Sequence, residues 1–278
     1  MAQPPPAATA TPAPPPATRG ICGTCAALDW AAPWWADWRS TGRAVASRVG
    51  QGGAVADALN AALAAPVRFV PQDAPVPAGH YESGIRASGQ VPTRDNLHDF
   101  FNGLVWHRYP RAKAQLNRVQ AEAIAADGIG GRRGPVRDAA TVFDENGAVF
   151  TGPDLLWRAL VVRDWQALFV THRGAWAEAR LELFGHALLE KLVSPRKGIT
   201  AHVLRRPNAI ERIANGPVDS TAATDAWLAE RLTAAHLASK PCMPLPVLGV
   251  PGWWPANAAA AFYDDARVFR PARGPAGG

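Results

Sequence analysis

Pro92-Thr-Arg-Asp-Asn-Leu-His-Asp-Phe-Phe-Asn-Gly-Leu-Val-Trp-His-Arg-Tyr-Pro-Arg-Ala-Lys-Ala-Gln-Leu-Asn117 sets strong apolar anchors beside a dense group of polar side chains. Leu97, Phe100, Phe101, Leu104 and Val105 follow i, i+3, i+4, i+7, i+8 spacing, which predicts a helix with one face in the core. Thr93, Asp95 or Asn96 can cap it, since each offers an oxygen to the free N–H groups of the first turn. Pro110 suits the first position of a second helix, whose buried side would be Leu116, Val119, Ala123 and Ile124. His98, Asn102 and Trp106, four apart, share another stripe of the first helix. If the two helices fold back around His107 to Pro110, His98 and Asn102 face Lys113 and Asn117. Such a group could orient a carbonyl or phosphate, with His98 as acid/base and Asp99 or Asn102 fixing its tautomer. The catalytic candidates are therefore His98, Asp99, Asn102, Lys113 and Asn117. The structural alternative is a buried polar network bracing two helices.

Downstream, residues 154–193 read as helical with a break near Thr171 to Gly174. The last helix would bury Ala177, Leu181, Phe184, Leu188 and Leu192. On that reading Glu182, His186 and Glu190 share one face and could ligate a divalent metal, with His98, Asp144 or Glu145 completing the set. Ordinary helix charge pairs, such as Glu182 with Arg180, are the alternative, and no His-Glu-x-x-His arrangement is present. Between these blocks, Asn146-Gly147 with apolar runs on both sides predicts a β-hairpin, with Asp138, Asp144 and Glu145 as solvated acids. Gly128-Ile-Gly-Gly-Arg-Arg-Gly134 lacks the third glycine of a dinucleotide loop. It is expected to lead from a helix towards a strand, so it reads as a connector.

Upstream, a helix is expected over residues 54–64, a short strand over 67–70 and a turn or two of helix over 81–87. Trp34, Trp35 and Trp38 could form a sugar-stacking or lipid-facing patch, but core packing suits their large apolar area better. Near the C-terminus a capped helix should start between Ser220 and Thr224 and run to Ala238, followed by an ordered wrap over residues 244–271. Asp264 and Asp265 are adjacent and so point apart. Salt links to Arg267 and Arg270 suit them better than a shared acid/base site.

A chain of 278 residues is long enough to bury roughly 75% of its unfolded surface. Residues 1–20 are almost all Ala, Pro and Thr, and cannot repay the entropy of ordering. The expected organisation is a disordered tail over 1–20, one globular domain over 21–271 and a flexible tail over 272–278. No run of about 18 apolar residues predicts a membrane span, and no basic start followed by an apolar run marks a secretory signal. A soluble, cytoplasmic chain follows. Three cysteines fit a reducing compartment. Cys22-Gly-Thr-Cys25 reads as an incidental exposed pair rather than half a zinc site. The formal charge of +6 comes with 25 Arg against 4 Lys, scattered without the stripe of a nucleic-acid footprint.

Several blocks taken together resemble a bacterial family, the domain of unknown function 3025. They are Pro92-Thr-Arg with His98-Asp-Phe-Phe-Asn102, Trp106, Pro110, Lys113 and Asn117; Arg137-Asp138 with Phe143-Asp-Glu-Asn-Gly147; and Phe184-Gly-His-Ala-Leu-Leu-Glu-Lys191 with Pro195. Pro246-Val-Leu-Gly-Val-Pro-Gly-Trp-Trp254, Phe262-Tyr-Asp-Asp265 and Val268-Phe-Arg-Pro271 complete the set. The resemblance runs from about residue 28 to 273 and implies one domain; it brings no activity. The expected fold is α+β, predominantly α-helical, one globular domain with a β-hairpin or small sheet. The expected function is a hydrolase or lyase acting on a small polar or anionic substrate. The alternative is a non-catalytic binding or scaffold protein. The expected partner is an unidentified small molecule; a protein partner stays open, and a divalent metal is the one cofactor the residues suggest.

Overall fold

The computed structural model describes residues 20–62, 65–75, 80–127, 134–207 and 221–272. The two expected tails lie outside them except for Gly20 and Ala272. The helices among the described residues are α1 (Ile21–Ala26), α2 (Arg39–Gly50), α3 (Val55–Asn60), α4 (Tyr81–Ser88), α5 (Leu97–Arg108) and α6 (Pro110–Asp127). They continue with α7 (Pro135–Asn146), α8 (Asp154–Val161), α9 (His186–Leu192), α10 (Thr221–Arg231) and α11 (Ala234–Ala238). Strands β1 (Arg68–Pro71) and β2 (Gln90–Thr93) form a parallel pair. Strands β3 (Gly147–Thr151), β4 (Arg180–Leu183), β5 (Thr200–Arg205) and β6 (Met243–Pro246) form a sheet in the order β4-β3-β5-β6. Only β3 and β5 run parallel within it. The fold is α+β with helices predominating. No helix among the described residues is long and apolar enough to cross a membrane.

The α5–α6 hairpin forms as its spacing predicts. The Asn96 side chain accepts from the Asp99 N–H at 2.8 Å and caps α5. Phe100, Phe101, Leu104 and Val105 are buried, and only Tyr109 separates the two helices. Gly103 lets α5 approach α3, because a Cβ there would lie 2.2 Å from Leu59. Trp34, Trp35 and Trp38 are all buried, and Trp35 stacks on Phe101 with ring centres 5.4 Å apart. Core packing is therefore their role. The helix expected to reach Ala64 ends at Asn60, whose carboxamide turns aside to hold both backbone groups of Phe69 at 2.8 and 3.1 Å.

Four expectations are corrected. Asn146-Gly147 is not a hairpin turn: α7 runs to Asn146 and β3 starts at Gly147, in extended backbone (φ −70°, ψ 150°). Such a turn needs positive φ, whereas Ala140 and Phe143 sit on a helical period and are buried. The helix expected over the end of 154–193 is interrupted, since Arg180–Leu183 is β4 and only His186–Leu192 is α9. The segment after α6 leads into α7 rather than a strand; its residues 128–133 lie outside the described set. The helix expected up to Ala238 likewise breaks in two, with Thr233 capping α11. Its expected start at Ser220 lies outside the described residues.

Candidate functional site

Helices α4, α5, α6, α7 and α9 enclose a cavity of about 420 Å³. His98, Asp99, Asn102, Lys113, Asn117 and His186 all line it, so residues up to 88 positions apart in sequence meet at one place.

His186, at the start of α9, is 6% exposed. Its Nδ1 lies 2.8 Å from the backbone carbonyl of Asp144 and its Nε2 lies 3.0 Å from Nε2 of His98. A carbonyl only accepts, so Nδ1 of His186 carries the hydrogen, and a neutral ring then leaves Nε2 as an acceptor. His98 must therefore donate from Nε2. Its Nδ1 lies 3.0 Å from Oε2 of Glu190, and a donor there completes the bond to the carboxylate. The partners thus make His98 an imidazolium and His186 a neutral imidazole. The electrostatics agree. The hydrogen bond to Glu190 holds His98 above the ordinary histidine value, while burial takes His186 down to about 4.

The protonation and orientation of His98 are accordingly set by Glu190 and His186, and the expected role of Asp99 or Asn102 in fixing its tautomer is not met. Asp99 is occupied by Arg94, which donates from Nε and Nη2 at 3.0 Å and from its backbone N–H at 2.7 Å. Asn102 accepts at Oδ1 from Lys113 Nζ at 2.8 Å. The same ammonium reaches Asp144 Oδ1 at 2.6 Å. Asp144 is therefore no solvated turn acid. Burial pushes its carboxyl up, but Lys113 and the two imidazoles outweigh burial and hold it below the usual carboxylate range. Asn117 donates to Glu82 Oε2 at 2.6 Å and to the Glu82 carbonyl at 2.8 Å. Burial, with Asp144 nearby, pushes the Glu82 carboxyl up.

Glu82, Asp144 and Arg94 belong to this cavity and were not among the candidates for catalysis. Asp144 had a legible sign: Phe143 and Ala140 on a helical period place it beside the core. Glu82 had none, because α4 is short and only Ile85 of it is buried.

The expected metal face dissolves. Glu182 lies on β4 and is 1% exposed, where Thr224 donates to it at 2.7 Å and Arg180 lies 3.5 Å away. It shares no helix face with His186, and Glu190 is engaged with His98. Among the described residues, no group of three or more His, Cys, Asp or Glu is placed to hold a metal ion. Cys25 is buried, and burial pushes its thiol up to about 12, so Cys22 and Cys25 are not the exposed pair expected. Asp264 and Asp265 do diverge. Asp264 accepts from Gln166 at 3.1 Å, whereas Asp265 meets Lys197 at 3.4 Å and Arg267 at 3.6 Å.

A family described as "Protein of unknown function (DUF3025)" matches residues 67–273. The match starts well after residue 28, where the sequence resemblance was taken to begin. No curated protein and no solved structure matches the chain. With the α5–α6 stretch, Asp144 and His186 all inside a match that spans well over half of its residues, the chain belongs to the DUF3025 family.

Proposed function

We propose that the cavity is the active site of a hydrolase or lyase that acts by proton transfer on a small polar or anionic molecule. The observation that carries this reading is the pair of imidazoles 3.0 Å apart, one forced into the donor state and one into the acceptor state by their other partners. Two titratable groups driven in opposite directions at one place supply an acid and a base together. His98 Nε2–H protonates the leaving group once substrate displaces its contact with His186. The Nε2 lone pair of His186 takes the proton of a water or of the substrate. Direct transfer across the short gap then returns that proton to His98 and resets the pair. Lys113 keeps Asp144 ionised and fixes Asn102, while Asn117 orients Glu82.

One observation favours the non-catalytic reading, a binding or scaffold protein: Asp99, Lys113 and Asn117 are partnered within the protein, as bracing groups would be. Nitrogen-15 NMR of the histidine rings separates the two. The acid/base reading expects His186 as the Nδ1–H tautomer, neutral until the pH nears 4, and His98 titrating above an ordinary histidine. Two rings titrating together near pH 6.5, or His186 as the Nε2–H tautomer, would sink it.

A further inference from the structure

Arg137 lines the same cavity. Among the described residues its hydrogen-bond partner is Nε2 of His80 at 3.3 Å, and no carboxylate lies within ion-pair distance. A guanidinium only donates, so His80 accepts at Nε2 and carries its hydrogen on Nδ1. That Nδ1 is buried, and among the described residues it has no hydrogen-bond partner. A buried N–H without an acceptor is costly unless something supplies one.

The contact between Arg137 and His80 also joins two helix beginnings. His80 is the N-cap of α4, and Arg137 lies in the first turn of α7 after its N-cap Gly134. Neither helix start is capped by a side chain, so two positive helix ends meet where the guanidinium sits. Tyr81 and Glu82 line the same wall. Asn117 occupies one oxygen of Glu82, and burial pushes its carboxyl up.

Of the other acids of the cavity, Asp99 and Asp144 bear on Tyr81, but each carries a cation of its own. Asp99 is paired with Arg94 and Asp144 with Lys113. Glu145 stands two turns further along α7, about 12 Å from Arg137 on the helix axis. Asp138, beside Arg137 in the chain, is exposed.

We propose that His80, Tyr81 and Arg137 form an oxyanion subsite that holds the carboxylate or phosphate of the substrate at the end of the cavity opposite Glu145. This rests on the cavity being the substrate site, and it assigns which end of the substrate carries the charge. The reacting centre then lies towards His98 and His186.

The test titrates the full chain with inorganic phosphate and, separately, with acetate, read by calorimetry and amide NMR at fixed ionic strength. Arg137→Gln, Arg137→Lys and, as a control on general charge, Arg267→Gln are compared. Saturable binding of one anion is expected, weakened at least about tenfold in Arg137→Gln, partly restored in Arg137→Lys and unchanged in Arg267→Gln. Preference for phosphate or acetate names the source of the charge. The subsite is overturned if neither anion saturates, if Arg137→Gln binds as the wild type does, or if both glutamine variants lose binding equally. Histidine tautomers read in the same samples belong to the acid/base reading, so loss of anion binding with those tautomers intact sinks the subsite alone.

Discussion

Asp144 accepts through its backbone carbonyl from His186 and through its side chain from Lys113, so one residue fixes both the neutral histidine and the nearby cation. Glu190 does the corresponding work for His98, at a site where both side chains are nearly 40% exposed. The two histidines therefore pull stability in opposite directions with pH. His98, held above its unfolded value, adds stability that is present below about pH 6.5 and is lost as pH rises through its folded value. His186, depressed to about 4, adds stability that is present above the unfolded value and is lost as pH falls towards 4. Arg94, Asp99 and Glu190 face His98, while Lys113 and Asp144 face His186, and both sets enter the balance. Replacing Glu190 by Gln removes the negative charge that favours the His98 imidazolium and leaves the Asp144 carbonyl on His186 in place. Its titration by NMR should fall, and thermal denaturation across pH 5–8 should lose the stabilisation of the acidic side. An unchanged His98 titration would mean that Glu190 is a bystander.

Helices α5, α6 and α7 are tied by one buried ammonium, since Lys113 bonds Asn102 on the first and Asp144 on the third. Removing it strands a carboxylate that is 9% exposed. Lys113→Ala should therefore cost about 3–5 kcal/mol in urea denaturation, the range for breaking a buried pair from one side. Lys113→Met with Asp144→Leu should recover most of that loss, because no unpaired charge remains. A double variant as unstable as the single would place the cost in packing instead. The α5 and α6 elements were legible because five apolar residues repeat on a helical period and Pro110 marks the junction. Their inward polar face, His98 to Asn117, was legible for the same reason. The strand Arg180–Leu183 was not, because the alternation of Arg-Leu-Glu-Leu is only four residues long and Leu181, Phe184 and Leu188 also recur at helical spacing. Asn146-Gly147 misled because the pair is a turn signal only where the backbone takes positive φ. Gly147 is needed here for closeness instead, a Cβ lying 2.4 Å from the Phe143 carbonyl. Glu190 reached the site by a pairing 92 residues long, which no local pattern announces.

The family match begins at residue 67, yet the core does not. Buried residues from Cys25 to Phe269 form one apolar cluster, and the segment before the match supplies Trp30, Trp35, Trp38, Val45, Val49 and Leu59 to it. Its polar links are as direct. Asp37 pairs with Arg108 at 3.3 Å and Arg180 at 3.0 Å, the Asp95 side chain caps α3 at Val55 N at 2.8 Å, and the Leu59 carbonyl meets His107 at 3.0 Å. Arg108 and His107 close the C-terminal end of α5, the helix whose other end carries His98. A fully buried Trp-sized side chain contributes several kcal/mol, comparable with the net stability of a whole domain. A chain beginning at Val67 would expose Phe101 where Trp35 now stacks and would leave Arg108 and Arg180 without Asp37. Such a chain should show no cooperative urea transition and no sharp near-ultraviolet dichroism, whereas one beginning at Gly20 should keep both. If the chain from Val67 unfolds cooperatively with its histidine tautomers unchanged, the first three helices are an accessory layer and the cavity is built by the family segment alone.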